Sequence, residues 1–284
     1  MARHVISRVG FAYNPTSHAA LELRERATSW AAMRGLDHWA ATAADLAAMD
    51  DNLRGTDALV VLGGDGTFLR AARAVAEIDV PLLGINVGKV GFLSKVETGD
   101  LIRVLDGLLA GNFTLEHRMA LEGRILRAGS AEAPERYIAL NDVVVARGSL
   151  ARVVRLDVSI DDSHLATYIA DGLVVASPTG STGYSFSAGG PILDPTARNL
   201  IVTPIAAYLT TIRAVVVGPS VVVRCRVTDA HEALVSIDGR EDVPIAVGDV
   251  VEVRALDRPI RFVQPDGALP FWDLLRKKVE LLPS

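Results

Sequence analysis

The chain of 284 residues has one cysteine, few aromatic side chains and no excess of basic charge. Cys225 lacks a second thiol for an internal disulfide, and its apolar surroundings favour a small buried strand residue. The six histidines are scattered without metal-ligand spacing, so we expect no structural metal site. Because the formal net charge is -5 and the charges are interspersed, we expect no general nucleic-acid surface.

Long apolar runs are also missing from the chain. No stretch approaches the roughly 20 apolar residues of a membrane-spanning helix. The N-terminal residues lack the charged-then-apolar pattern of a signal peptide, so we expect a cytoplasmic protein that does not enter a membrane. With 50% hydrophobic and 22% charged residues, the composition is that of a globular protein with one large or two ordinary domains.

Strand and helix patterns alternate along the first part of the chain. A strand is predicted over Val5–Phe11, and Ser17 is the expected N-cap of a helix that ends at Gly35. Ala58–Leu62 is an unbroken apolar run, as expected for a parallel strand that is covered on both faces. This alternation predicts an α/β N-terminal domain with a mostly parallel sheet.

Further along the chain, short β-branched runs replace this alternation. In Arg152–Ile160 apolar and polar residues alternate, as in a strand with one face exposed to water. Many such runs, separated by turn residues, indicate a β-sandwich-like C-terminal domain. The tail Phe271–Val279 returns to helical spacing, which places Trp272, Leu275 and Val279 on one stripe.

The change of pattern divides the chain into two predicted domains. Residues 1–114 form the α/β domain, and residues 115–263 form the β-rich domain. The C-terminal helix is expected to return to the first domain, so that residues 264–284 pack back on it.

Three glycines and an acid lie where the apolar run Ala58–Leu62 meets a helix predicted over Phe68–Ala76. In the loop Gly63–Thr67 the glycines let the backbone approach a ligand, and the N–H groups at the helix start favour an anion. Asp65 is an acid among phosphate-binding amides, and the two roles that explain it are general base and partner of Mg²⁺. A tight structural turn is the alternative, but an exposed acid flanked by glycines favours function.

The segment Asp171–Ile192 contains a run of hydroxyls and glycines after a hydrophobic strand. Tyr184, Ser185 and Ser187 can hydrogen-bond a ligand through their side chains, and the glycines let backbone groups approach it. Such clusters are usually plain surface loops. The length of this one, with an acid at its start, favours a nucleotide or sugar site.

Two further features are ambiguous on their own. Asn141-Asp142 precede an apolar run, a pattern that is typical of a turn before a strand. Arg152 is equally well explained as a residue of a solvated face.

Four blocks of the sequence resemble the NAD kinase family closely. They are Gly63–Thr67, Gly84–Leu93, Asn141-Asp142 and Asp171–Ile192, which match the family's signature blocks in order and spacing over nearly the whole chain. The first block is shared with diacylglycerol and sphingosine kinases and, more loosely, with phosphofructokinases, so it indicates only phosphoryl transfer. The Ser-Pro-Thr-Gly-Ser-Thr-Gly-Tyr-Ser segment at 177–185 is what selects NAD kinase.

The resemblance implies transfer of the γ-phosphoryl of ATP, or of a phosphoryl of polyphosphate, to the 2′-hydroxyl of the adenosine ribose of NAD. Mg²⁺ or another divalent cation would be carried with ATP, and a homodimer or homotetramer is expected. The α/β domain would bind nucleotide and phosphate, and the β-rich domain would bind NAD. Asp65 would be the general base that accepts the hydroxyl proton.

The resemblance also implies a set of binding residues. They are Gly66, Thr67 and Arg70 on the phosphate side, Asn141 and Asp142 at the ribose and nicotinamide portions, and Arg152, Asp171, Thr182, Gly183, Tyr184, Ser185 and Ser187 around the ends of the dinucleotide.

Five positions depart from the family's usual pattern, and two of them, Ser177 and Gly183 in place of the commoner Thr and Ala, are small changes. Asp142 is one methylene shorter than the more frequent Glu, and Ile169 stands where many bacterial members have a basic residue. Arg240 stands where Gln is frequent, and we expect it to supply a positive charge in place of the one missing at Ile169. Two alternatives therefore stay open: a non-catalytic NADP(H)-binding regulator, and a lipid kinase of the diacylglycerol type, against which the lack of a membrane-facing segment counts.

Overall fold

The computed structural model describes residues 6–88, 91–149, 152–208 and 212–280. They divide into two compact units. Unit 1 comprises the residues up to His117 together with those from Ile260 onward, and unit 2 comprises Arg118–Pro259. None of the helices in these ranges has the length and apolar character needed to span a bilayer. Val5, in the first predicted strand, lies outside the described residues.

The described strands and helices are numbered in chain order. The strands are β1 (Arg8–Tyr13), β2 (Asp37–Thr42), β3 (Ala58–Gly63), β4 (Leu82–Asn86), β5 (Val96–Glu97), β6 (Phe113–Arg118), β7 (Leu121–Leu126), β8 (Glu135–Ala139), β9 (Asp142–Arg147), β10 (Val154–Ile160), β11 (Ser163–Ala170), β12 (Gly172–Ala176), β13 (Leu200–Ile205), β14 (Val215–Val217), β15 (Val223–Asp229), β16 (Ala233–Ile237), β17 (Glu241–Ile245), β18 (Val250–Ala255) and β19 (Ile260–Pro265). The helices are α1 (His18–Met33), α2 (Leu46–Leu53), α3 (Asp65–Val75), α4 (Leu101–Ala110), α5 (Tyr184–Ser187) and α6 (Phe271–Glu280).

Unit 1 is built on one sheet with the strand order β2-β1-β3-β4-β19-β6, and the short strand β5 pairs with β4. β1 pairs in parallel with β2 and β3, and β4 pairs in parallel with β3, β5 and β19. β3 and β4 are buried at every position, as central strands of a parallel sheet must be. The predicted α/β domain with a mostly parallel sheet is confirmed.

The last strand, β19, joins this sheet, although the sequence pattern grouped the residues up to 263 with the β-rich domain. Phe262 of β19 lies opposite Leu82 of β4 in a parallel pair. A short β-branched run carries no information about the sheet that it joins, because cross-strand pairing between distant segments decides this.

The C-terminal helix α6 also belongs to unit 1, as expected. The ring of Phe271 lies 5.9 Å from that of Phe92. Phe271 and Leu274 are the buried residues among the described side chains of α6. The predicted stripe is therefore wrong by one position: Trp272 is 53% exposed and Leu275 is half-buried. The side chain of Val279 lies outside the described residues.

Unit 2 consists of two six-stranded sheets with the orders β11-β10-β15-β18-β7-β8 and β14-β13-β12-β9-β16-β17. Their strand pairs are antiparallel, and alternate residues of both sheets share one core, for example Leu156 of β10 and Val175 of β12. Cys225 lies in this core, where burial raises the pKa of its thiol, as expected for an inert residue. The β-sandwich-like domain predicted from the sequence is confirmed.

Candidate functional site

In unit 1, strand β3 leads directly into helix α3. Gly64 precedes the helix with an extended backbone, and Asp65 is the first helical residue. The helix thus begins three residues before Phe68, its predicted start. Asp65 is held on a helix end rather than in a flexible loop, and its negative charge lies where the helix dipole favours an anion.

The carboxylate of Asp65 lies against the second glycine-punctuated segment of unit 1. Its Oδ2 accepts a hydrogen bond from the backbone N–H of Phe92 at 3.3 Å, and its Oδ1 accepts one from Leu93 at 3.4 Å. A Cβ at Gly91 would collide with this carboxylate, so only glycine permits the approach. A carboxylate has about four lone-pair positions, and two long hydrogen bonds leave room for an incoming proton. Lys89-Val90 of the same segment lie outside the described residues.

The other predicted phosphate-side residues follow Asp65 on α3. Gly66 is half-buried, Thr67 is 5% exposed and Arg70 is exposed. The Thr67 side chain fills the space beside Gly63, where a Cβ would collide with it. The groups left to face an anion are therefore the backbone N–H groups of the first turn, which have no partner further back in a helix, together with the Arg70 guanidinium.

In unit 2, the turn between β16 and β17 fixes the segment that carries Asn141 and Asp142. The carboxylate of Asp238 accepts three backbone hydrogen bonds, from Leu140 at 2.9 Å, Asn141 at 2.7 Å and Asp142 at 3.1 Å. The N–H of Asp238 in turn donates to the carbonyl oxygen of Asp142 at 3.0 Å. Asp238 has a φ of 50°, a left-handed conformation that Asp tolerates better than most residues.

The side chain of Asp142 is buried beside this turn, with 5% exposure. Burial and, secondarily, the negative charge of Asp238 raise the pKa of the Asp142 carboxyl to about 7. Burial also raises the pKa of Asp238, while its three N–H donors and the charge of Arg240 lower it. On balance the pKa of Asp238 is also raised, because burial is the largest of these effects.

The segment after β12 is attached to the same backbone. The N–H of Ser177 donates to the carbonyl oxygen of Asn141 at 2.8 Å, and the Ser177 hydroxyl donates to that of Leu140 at 2.5 Å. The N–H of Gly180 donates back to Ser177 Oγ at 3.2 Å. The run of hydroxyls and glycines forms a tight turn of 3₁₀ helix at Thr179–Thr182, followed by α5.

Several hydroxyls of this segment therefore serve the fold. Ser185 is fully buried and its Oγ lies 3.2 Å from Thr203 Oγ1, so this side chain contributes to packing, and its contact with a ligand stays a prediction. Thr182 and Gly183 are half-buried, and Tyr184 and Ser187 are exposed. These four remain available to a ligand.

We expect Gly180→Ala to lower the free energy of unfolding by about 1–3 kcal/mol, the usual cost of forcing extra atoms into a packed site. A Cβ at this buried position would collide with the backbone of Asn141, which has no side-chain freedom to yield. Urea denaturation measures the change. Gly218→Ala is the matched control, because nothing lies within 4 Å of a Cβ there, and equal losses in both variants would contradict the close approach.

Asp171, the acid at the start of this segment, is paired with a residue that sequence reasoning missed. Arg147 at the end of β9 binds it in a two-pronged ion pair, with Nε to Oδ1 at 2.8 Å and Nη2 to Oδ2 at 3.1 Å. The backbone N–H of Arg147 also donates to the carbonyl oxygen of Asp171 at 3.0 Å. The pair forms because β9 and β12 are neighbours, which no local pattern reveals.

The two remaining predicted arginines are exposed. Arg152 lies before β10, and Arg240 lies in the β16–β17 turn, where its charge lowers the pKa of Asp238. Ile169 is in β11, which belongs to the other sheet of unit 2. Arg240 thus interacts electrostatically with Asp238.

Metal ligands are a separate question. In the described parts of the chain, no three His, Cys, Asp or Glu side chains group together in a way that would hold a metal ion. Mg²⁺ at phosphoryl-transfer sites is usually held by one or two carboxylates and the substrate phosphates. Asp65, a half-buried carboxylate at a helix N-terminus, is compatible with a cation of this kind.

Comparison with known proteins identifies relatives of both parts of the chain. A model of the ATP-NAD kinase N-terminal domain matches residues 34–113, and a model of the ATP-NAD kinase C-terminal domain matches residues 140–265. An NAD kinase from Symbiobacterium thermophilum is 46% identical over 83% of this chain and 83% of its own length. An NAD kinase from Heliobacterium modesticaldum is 40% identical over 96% of this chain and 98% of its own.

Solved structures give the same answer for the fold. Yeast NADH kinase complexed with NADH superimposes with a TM-score of 0.84 at 25% identity, over 98% of this chain and 88% of its own. An NAD kinase from Archaeoglobus fulgidus in complex with ATP has a TM-score of 0.74 at 22% identity, over 97% of this chain and 100% of its own, and this likeness concerns the fold alone.

Proposed function

This chain belongs to the NAD kinase family and has its phosphotransferase activity, and from that premise we propose how its own residues perform the reaction. The γ-phosphoryl of ATP is transferred to the 2′-hydroxyl of the adenosine ribose of NAD, which gives NADP and ADP. The observation that carries the residue assignment is the position of Asp65, at the start of α3 and beside the Phe92-Leu93 amides.

Asp65 acts as the general base. A ribose hydroxyl is a weak nucleophile, and a carboxylate that takes its proton while the O–P bond forms avoids an unstable oxonium product. The bond between the γ-phosphorus and the bridging oxygen breaks, and its electron pair leaves with ADP. The first-turn amides of α3 and the Arg70 guanidinium offset negative charge on the phosphoryl oxygens. The protonated Asp65 then returns its proton to water.

A divalent cation, Mg²⁺ in our proposal, would neutralise charge that develops on the transferred phosphoryl group. It would be bound mainly through the phosphates of ATP, and the Asp65 carboxylate is the protein group of unit 1 that would assist in holding it. The amides of Phe92 and Leu93 hold the Asp65 carboxylate in place, whether it accepts a proton or helps to hold the cation.

The dinucleotide is bound through unit 2. Asn141 and Asp142, which share one rigid segment, are assigned to its ribose and nicotinamide portions. The ends of the dinucleotide are assigned to two half-buried residues, Thr182 and Gly183, and two exposed ones, Tyr184 and Ser187. Asp171 and Arg152 assist in binding these ends. Arg147 orients the Asp171 carboxylate through its two-pronged ion pair.

The expected homodimer or homotetramer has support in the surface of unit 2. Tyr184, Phe186 and Tyr208 are large apolar side chains that are 47%, 54% and 67% exposed. Aromatic side chains are enriched in the cores of protein–protein interfaces, so these three are the residues that we expect an association surface to use. Light scattering of the purified protein measures the assembly. The cytoplasmic location stays a prediction from the sequence.

Incubation of the purified protein with NAD, ATP and Mg²⁺ should yield NADP. The product is measured with a dehydrogenase specific for NADP, and polyphosphate and NADH are supplied in parallel to find the donor and the redox form. Absence of NADP with every donor would overturn the proposal. NAD binding without turnover would identify a non-catalytic regulator, and phosphorylation of diacylglycerol would identify a lipid kinase.

A further inference from the structure

Asp238 has more backbone partners than its place in a hairpin turn explains. Its two carboxylate oxygens accept hydrogen bonds from three consecutive residues, Leu140, Asn141 and Asp142, which lie 96 to 98 positions earlier in the chain. Backbone N–H groups that must be buried are normally satisfied within a strand or by a capping group. Here one carboxylate accepts the N–H groups of all three residues at the start of β9.

This attachment also determines where the Asp142 side chain points. Asp142 donates its N–H to Asp238 and receives the N–H of Asp238 at its carbonyl oxygen, so its backbone is fixed from both sides. Its Oδ2 lies 3.9 Å from the place that a Cβ would take at Gly183. Among the described residues the Asp142 carboxyl itself has no hydrogen bond, although it is 5% exposed. The hydrogen-bonding capacity of this carboxyl is therefore not used by the fold.

We propose that Asp238 is a positioning residue for NAD: it fixes Asn141 and Asp142 in their binding geometry before the dinucleotide arrives. The proposal rests on the proposed function, in which those two residues contact NAD. Asp238 acts through them and makes no contact with the substrate of its own.

Two elements bring charged groups towards Asp142. The β16–β17 turn contributes Asp238 and Arg240. The packed segment Ser177–Gly183 has no ionisable side chain of its own, but the buried guanidinium of Arg118 donates to Thr179 Oγ1 there at 3.3 Å. Burial and the charge of Asp238 raise the pKa of Asp142 to about 7. Removal of the Asp238 charge therefore lowers this pKa, and the pH at which NAD affinity changes moves down.

The test compares Asp238→Asn with a matched variant, Asp249→Asn. Asp249 is another buried acid of unit 2 whose carboxylate accepts turn amides, from Ala128 at 2.8 Å and Ala246 at 3.0 Å, and it makes no hydrogen bond to residues 140–142. An amide in place of the Asp238 carboxylate opposes an N–H donor with another donor. We expect the KM for NAD to rise on the order of tenfold in Asp238→Asn, with kcat and the KM for ATP changed less than about twofold. Asp249→Asn should leave all three unchanged.

The pH profile of the KM for NAD separates positioning from mere stabilisation of the fold. Its midpoint should lie near neutral pH in the unchanged protein, move to lower pH in Asp238→Asn, and disappear in Asp142→Asn. An unchanged KM and midpoint in an active Asp238→Asn enzyme would overturn the proposal. A protein that makes no NADP at all would instead overturn the proposed function.

Hydrogen exchange of the unchanged protein keeps the proposal testable where Asp238→Asn does not fold. Without NAD, the amides of Leu140, Asn141 and Asp142 should be protected as strongly as those in the rest of strand β9. Exchange of these three amides at unprotected rates would contradict the fixed geometry.

Discussion

Replacement of Asp65 by Asn should lower kcat by a factor of roughly 10² to 10⁴, the usual contribution of a positioned general base. The amide has the shape of the carboxylate but cannot accept a proton near neutral pH. NAD should still bind, because the residues proposed to hold it are in unit 2. Steady-state kinetics give kcat, and calorimetry gives the Kd for NAD.

The chain offers a matched control for this change. Asp45 also lies at a helix N-terminus of unit 1, where its carboxylate caps α2 by accepting the N–H of Ala48 at 3.0 Å. Asn is an equally good capping residue, so Asp45→Asn should leave both stability and kcat unchanged. An Asp65→Asn enzyme with near-normal kcat would remove Asp65 from the role of base.

The second large effect is expected from Gly91→Ala. The added methyl group would collide with the Asp65 carboxylate, which must then leave its position beside the Phe92 and Leu93 amides. A displacement of about 1 Å at a reacting group costs on the order of 10²-fold in rate. We expect a fall of that size in kcat with a small change in the KM for NAD.

Gly99→Ala controls for the loss of a glycine in the same unit, since nothing lies within 4 Å of a Cβ at that position. Circular dichroism and thermal unfolding show whether each variant is folded. Equal kcat values for the two variants would indicate that the approach of Gly91 to Asp65 has no catalytic importance.

Local patterns predicted the elements whose residues interact with near neighbours. Ser17 caps α1 by accepting the N–H of Ala20, and Gly35 has the left-handed φ of 66° that a residue past the helix end needs. The unbroken apolar run that became β3 was recognisable because both faces of a central parallel strand are covered. In each case the signal lies within a few residues.

Contacts between distant segments were not predictable in this way. Arg147 meets Asp171 only because β9 and β12 pair, and Asp238 reaches Leu140 across nearly a hundred residues. The contact of Ser185 with Thr203 was not predictable either, because a serine that satisfies a buried neighbour looks the same in sequence as one that faces a ligand. The motif resemblance identified the residues of the candidate site, but the groups that fix them required the structure.

The place of β19 has a consequence for how the protein is made. This strand lies between β4 and β6 in the sheet of unit 1, yet it follows all of unit 2 in the chain. The contiguous segment Arg118–Pro259 can fold as a unit from its own residues. The sheet of unit 1 needs strands from both sides of that segment, so it is complete only after β19 has been released. We therefore expect unit 2 to fold independently of the order in which the sheet next to α3 is completed.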